Sequence, residues 1–216
     1  MRINSLNNKY NEGKLISFEG GEGVGKSTQI KLLKSYLLEN NFKVLTTREP
    51  GGTEEGEIIR KFLVSGAKNT FDPLSELLIF NALRREHINK VINPSIKKGK
   101  IVLCDRFIDS TFVYQGIGKG INKKVLLNLH KKFCYDIYPD ITFFLNLDPK
   151  IGLDRTNRRK NNETRFERLG LSYHKKVFNG YLKLSKKFEK RIININAQQS
   201  IKEISEKIIK HVMSIL

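Results

Sequence analysis

The sharpest chemistry-bearing spacing in the chain is GGEGVGKST, which places Gly20, Gly21, Glu22, Gly23, Val24, Gly25, Lys26, Ser27 and Thr28 in the order Gly-x-x-x-x-Gly-Lys-Ser from Gly20 to Ser27. It follows an apolar run (Leu15, Ile16, Phe18) and precedes residues with helical spacing. That is the context in which the pattern forms a phosphate-binding loop. Glycines let successive backbone N–H groups turn toward one anion without hindrance from Cβ atoms, and the helix that follows adds its positive end. Lys26 is placed to reach the β- and γ-phosphates, and the Ser27 hydroxyl to ligate Mg2+. The run from Lys100 to Asp105, KIVLCD, has the form of the companion element, a buried strand ending in an acid. Asp105 is therefore expected near the metal, directly or through water. Together these segments predict a nucleoside triphosphate site.

Motors, GTPase switches and small-molecule kinases all use such a loop, so other residues must decide between them. The guanine-reading Asn-Lys-x-Asp motif is absent. The chain is also too short for a P-loop core plus a helicase-type channel. Instead it carries arginines at strand ends: Arg48 in TREPGGT and Arg106 directly after Asp105, with Arg84 and Arg85 in a long central helix. A planar fork of N–H donors suits a second phosphate. Farther on, Arg155, Arg158 and Arg159 fall at i, i+3 and i+4 and share one helical face. These predict a basic lid over about residues 155–168 that brings positive charge to a transferring phosphoryl group. A solvated basic surface is the alternative for each arginine. Phe80, inside Leu77-Leu78-Ile79-Phe80, reads on its own as core, and Thr111 and Tyr114 carry no independent signal. The four histidines, His87, His130, His174 and His211, need no catalytic role.

Such groups must be positioned by strands that end at a common edge. Short apolar runs predict strands at Lys14–Glu19, Lys43–Arg48, Lys100–Cys104, Ile141–Leu147 and Arg191–Asn196. Periodicity near 3.6 predicts helices at Lys26–Glu39, Glu54–Leu63, Pro73–Ile96, Lys123–Tyr135, Pro149–Lys160, Ser172–Lys190 and Ser200–Ile215. The alternation predicts an α/β fold, a five-stranded parallel sheet flanked by helices on both faces, with its ligand site beyond the carboxyl ends of the strands. Four of the five predicted strands run there into a polar cluster (EGGEGVGKS, TREPGG, CDRFIDS, NAQQS), which argues for one shared site. Residues 14–216 are expected to form a single domain, and the polar residues 1–13 a flexible extension.

No apolar run approaches the roughly 18 residues of a membrane span, and the first thirteen residues lack the apolar stretch of a secretory signal. No membrane partner is expected. Cys104 and Cys134 have no metal-type spacing and read as buried free thiols of a reducing compartment, hence a cytoplasmic location. The net charge of +18 favours anionic partners. The lysines are spread along the chain, however, and its richness in Lys, Asn and Ile follows from AT-rich coding alone. No nucleic-acid partner is expected, and a P-loop ATPase working on nucleic acid stands as the alternative from another class.

The ordered set FEGGEGVGKST, TREPGGT, LLIFNALRREH, LCDRFIDSTFVYQG, YPDITFFLNLDP and TRFE…YHKKV resembles the bacterial thymidylate kinases from about Lys14 to the C-terminus. TREPGGT and DRFIDS…YQG are far more specific than the phosphate loop. The resemblance implies transfer of the γ-phosphate of Mg·ATP to dTMP, giving dTDP by direct in-line transfer. By the same resemblance, Glu22 meets the 3′-hydroxyl and ribose end of dTMP, and Arg48 and Arg106 hold its phosphate. Phe80 stacks on thymine and Arg84, one helical turn later, hydrogen-bonds the base. Thr111 and Gln115, likewise four apart, read its polar edge, while Tyr114 crowds a 2′-hydroxyl. The loop has Gly23 after Glu22 and no arginine, so the chain resembles the lid-arginine type, with Arg155 and Arg159 at matching positions. It departs from that pattern at Asn157, with Arg158 displaced by one. Homodimerisation is implied as well. Another nucleoside monophosphate kinase is the second reading.

Overall fold

The computed structural model describes residues 13–65, 70–157 and 165–216. Five strands, β1 (Lys14–Glu19), β2 (Val44–Arg48), β3 (Ile101–Asp105), β4 (Ile141–Asn146) and β5 (Ile192–Asn196), pair in parallel in the order β2-β3-β1-β4-β5. Between them run α1 (Lys26–Glu39), α2 (Glu54–Val64), α3 (Pro73–His87), α4 (Asn93–Lys97), α5 (Ile108–Thr111), α6 (Lys123–Phe133), α7 (Pro149–Asn157), α8 (Leu171–Lys187) and α9 (Ile201–Met213). All five predicted strands are present, each with ends within one residue of the expected ones.

Alternation along the inner strands supplies two apolar faces, each covered by helices. Ile16 and Phe18 of β1 join Phe143 of β4, Leu33 and Leu37 of α1 and Ile208 of α9 in one core cluster. Leu15 and Val102 face the other way, toward Leu77 of α3, Ile88 and Leu126 of α6. Ser17 and Thr142 would be buried polar intrusions, but their hydroxyls bond each other at 2.7 Å. The parallel register aligns Phe18 and Arg48 with Asp105, so β1, β2 and β3 end level. That shared edge brings the phosphate loop, TREPGG and CDRF together.

Helix starts follow their capping residues. The Asp72 carboxylate accepts from the N–H groups of Leu74 and Ser75 ahead of Pro73, and Ser200 forms a reciprocal capping box with Glu203. Two readings need correction. The helix expected over Pro73–Ile96 is interrupted by a π-helical turn at Ile88–Ile92, ahead of Pro94. Proline lacks an N–H and its ring collides with the carbonyl four residues back, so the ladder must widen before it. The predicted helices leave out the segment after β3. It folds instead as α5 and a π-helical turn at Phe112–Gly118, where β-branched and aromatic residues masked the helical period.

Gly13, assigned to the flexible extension, donates its N–H to the Ile96 carbonyl at 3.0 Å. Residues 1–12 lie outside the described residues. Cys104 and Cys134 are free and buried, and burial pushes both thiols up. No helix among the described residues is long and apolar enough to cross a membrane.

Candidate functional site

The loop after β1 takes the shape its glycines allow. Gly23 and Gly25 have φ of 68° and 98°, in the left-handed region where other residues are strained. At Gly23 a Cβ would also collide with the Gly152 carbonyl. Gly25 is the N-cap of α1 and no side chain caps that helix, so its first N–H groups face the cavity beyond β1 and β3. This cavity, about 960 Å³, is lined by Gly23, Val24, Gly25, Lys26, Ser27 and Thr28, together with Arg48, Asp105 and Arg106. Gly20 and Gly21 supply carbonyls that accept from Arg106 and Lys26. The Lys26 ammonium lies 3.1 Å from the Gly21 oxygen and 4.0 Å from Asp105 Oδ1. Burial, reinforced by Arg106, pulls its pKa below the usual lysine value, against the opposing pull of Asp105 and Glu22.

Ser27 Oγ donates to Asp105 Oδ2 at 3.4 Å, so the two hard oxygen donors expected at a metal face one another. No cluster of three or more His, Cys, Asp or Glu suited to a metal occurs among the described residues. The donor set fits Mg2+, which keeps several waters and takes one or two protein oxygens beside phosphate oxygens.

A second cavity, about 610 Å³, opens on the other side of Arg106. Of the residues implied for the acceptor, Glu22, Phe80, Arg84, Arg106, Thr111, Tyr114 and Gln115 line it and Arg48 does not. Arg48 faces the loop cavity instead, in a bidentate pair with Glu57 (Nε to Oε1 3.2 Å, Nη2 to Oε2 2.6 Å). Glu22, Glu49, Arg60 and Arg106 border both cavities, which therefore share one charged wall.

Arg106 is fixed from several sides. It adopts φ 67°, donates through Nη1 to the Gly20 carbonyl at 2.8 Å and through Nη2 to Glu22 Oε1 at 2.8 Å, and lies 4.9 Å over the Tyr114 ring. Tyr114 also donates its hydroxyl to Glu22 Oε1 at 3.1 Å. Burial pushes the Glu22 carboxyl up, but Arg106 and Lys26 more than offset this and leave it below the ordinary value. Beneath Arg106, buried Glu19 accepts from the Phe107 N–H, the Ser110 hydroxyl and the Tyr181 hydroxyl at 2.6 to 2.8 Å. Burial, with Asp109 adding to it, pushes the Glu19 carboxyl up to about 7.

Arg84 is 2% exposed. Its Nε donates to Glu49 Oε2 at 2.7 Å and its Nη2 to Thr111 Oγ1 at 2.9 Å, while Nη1 has no partner. An unpaired buried donor costs about 1–3 kcal/mol, and Arg84 is one of the residues lining the second cavity. His87 braces the pair, with Nδ1 3.1 Å from Glu49 Oε1 and Nε2 2.6 Å from Thr47 Oγ1. Burial pushes the Glu49 carboxyl up and Arg84 and His87 outweigh it, leaving it low. Phe80 and Phe166 meet edge to face at 6.5 Å, giving the cavity an aromatic wall.

Sequence reasoning missed Glu49, Arg60, Phe107, Ser110 and Phe166, all of which line the second cavity. Glu49 and Phe166 lie inside the quoted segments TREPGGT and TRFE, where an acid or aromatic beside a functional arginine was the available signal. Arg60 had none beyond its place on α2. Arg155 is exposed on α7, and Thr156 and Glu167, at the two flanks of the predicted lid, line the loop cavity. Arg158 and Arg159 lie outside the described residues.

Residues 18–208 match the family model described as thymidylate kinase. A thymidylate kinase of Magnetococcus marinus is 45% identical over 201 residues, covering 93% of this chain and 96% of the relative. One from a Geobacillus species is 41% identical over 203 residues, covering 94% and 97%. The crystal structure of thymidylate kinase from Ehrlichia chaffeensis superposes with a TM-score of 0.77 at 37% identity, covering 93% of this chain and 99% of that one.

Proposed function

The chain belongs to the thymidylate kinase family, and from that premise we propose that it transfers the γ-phosphate of Mg·ATP to dTMP in a single in-line step, giving dTDP and ADP. The observation that carries this reading is the shared wall of Glu22, Glu49, Arg60 and Arg106 between the loop cavity and the base-sized cavity. A triphosphate on one side and a nucleoside monophosphate on the other meet there, phosphate to phosphate.

The roles follow from chemistry and position. The loop N–H groups and Lys26 hold the β- and γ-phosphates of ATP. Ser27 and Asp105 would hold Mg2+, which would neutralise charge on the phosphates. Arg106 clamps the dTMP phosphate, with Arg48 approaching from the loop side once it leaves Glu57. Phe80 stacks on thymine, Arg84, Thr111 and Gln115 meet its polar edge, and Glu22 and Tyr114 meet the sugar. The acceptor needs no general base, because a phosphate monoester is largely dianionic at neutral pH (second pKa about 6). Catalysis then rests on alignment and charge neutralisation, completed by lid arginines Arg155 and Arg159.

A homodimer belongs to this proposal. Ile58 and Phe62 of α2 and Leu74 and Leu78 of α3 are about half exposed or more, an apolar surface suited to burial against a second copy. A cytoplasmic location belongs to it too, supported by two free thiols. The mechanism is tested with ATP carrying a chiral γ-phosphate. Inversion in the dTDP product supports direct transfer; retention contradicts it.

A further inference from the structure

We infer that Glu76, which touches neither cavity, sets the base selectivity of the acceptor site by fixing which way the Gln115 amide faces. The inference rests on the reading of the second cavity as a pyrimidine monophosphate site.

Glu76 lies on α3, one helical turn before Phe80, and is fully buried. Its Oε1 accepts from Gln115 Nε2 at 2.9 Å. Its Oε2 pairs with Lys119 Nζ at 2.7 Å and with Arg165 Nη2 at 2.6 Å. Arg165 is 1% exposed and Lys119 mostly buried, so the carboxylate sits among two desolvated cations and one amide. An ion-paired carboxylate only accepts hydrogen bonds. The Gln115 atom turned toward it must therefore be the amide nitrogen. Because the amide is planar, its oxygen turns away from Glu76, toward the cavity that Gln115 lines.

Arg84 contributes the opposite polarity to the same wall, since it lines that cavity and a guanidinium carries only N–H donors. The wall thus offers one donor and one acceptor. A pyrimidine with a 4-oxo group and a protonated N3 presents an acceptor and a donor in complementary order. A 4-amino pyrimidine with a bare N3 presents the reverse, setting donor against donor and acceptor against acceptor. Sites built around such buried pairs reject the mismatched partner because their own groups are left unpaired. Glu76 acts through Gln115, so it is a positioning residue.

Glu76→Gln is the direct test. A carboxamide offers either an oxygen or a nitrogen, so the Gln115 amide is free to turn over. We would measure kcat/KM for dTMP, dUMP and dCMP with the full-length protein. The expected result is a fall of at least about tenfold in the dTMP:dCMP ratio, carried by KM. The dTMP:dUMP ratio should not move, because uracil presents the same edge. Glu76→Asp keeps a carboxylate for Lys119 and Arg165 but withdraws it from Gln115, and should shift the dTMP:dCMP ratio the same way by less. It decides the matter if Glu76→Gln fails to fold. A wild-type dTMP:dCMP ratio in both variants, or a proportional loss of all three substrates, overturns the inference alone. Wild-type protein inactive on dTMP overturns the underlying reading and the inference with it.

Discussion

Arg106 and Glu22 face each other across the seam between the two cavities, Nη2 to Oε1 at 2.8 Å. The pair holds the guanidinium fork in place beside both cavities, where the proposed acceptor phosphate would meet it. Lysine carries the same charge without the fork. Arg106→Lys should therefore lower kcat/KM for dTMP by roughly 10–100-fold, the worth of a charged hydrogen bond, with little change in the KM for ATP. Wild-type kcat/KM in this variant would remove Arg106 from the acceptor site.

The buried pair of Glu49 and Arg84 makes a prediction about stability. Removing one partner leaves the other charge desolvated and alone. Glu49→Ala should destabilise the fold by about 3–5 kcal/mol in urea unfolding and raise the KM for dTMP, because Arg84 loses its anchor. A change under about 1 kcal/mol would mean that solvent screens the pair as it screens a surface ion pair.

Glu19 makes the fold pH-sensitive in an unusual direction. Its carboxyl keeps a proton up to about pH 7 in the folded chain, against an ordinary value of 4.5, chiefly because it is buried. Between those values the folded state binds more protons than the unfolded one, so the group's contribution falls as pH rises from about 4.5 to about 7. Glu19→Gln stays neutral throughout. The melting temperature of the wild type should fall relative to that variant between pH 5 and 7.5, and a pH-independent difference would contradict the assignment.

The lid arginines should act on the transition state rather than on acceptor binding. Arg159→Ala, and to a lesser degree Arg155→Ala, should lower kcat by tenfold or more with little change in the KM for dTMP. Pre-steady-state and steady-state rates separate this from a product-release effect. An Arg159→Ala enzyme with wild-type kcat sinks the assignment.

Much of this was legible in the residues because the central strands β3 and β4 are rich in apolar residues and four of the five predicted strands run into a polar cluster whose chemistry is local. The phosphate-loop pattern with Lys26 and Ser27 is read from spacing, and Asp105 from the acid that ends an apolar run, taken together with that loop. The second cavity could not be read this way, because its walls come from α2, α3, α5, the turn that follows α5 and Phe166. Phe80 looks like core in sequence and is 9% exposed in the fold, so only its neighbours distinguish it. The position of His87 beneath Glu49 follows from tertiary packing that no periodicity encodes. Arg48 shows the converse. Its strand end was readable, but its pairing with Glu57 depends on where the fold sets α2.

The most direct test of the central claim is a coupled ADP-release assay with Mg·ATP and a panel of dTMP, dUMP, UMP, dCMP, AMP and dGMP, with Lys26→Ala protein as the control for contaminating kinases. The account predicts strong preference for dTMP, weaker use of dUMP, and loss of activity in the control. Activity on another monophosphate with dTMP inert would leave the phosphate loop standing and contradict the roles given to Phe80, Arg84, Thr111 and Gln115.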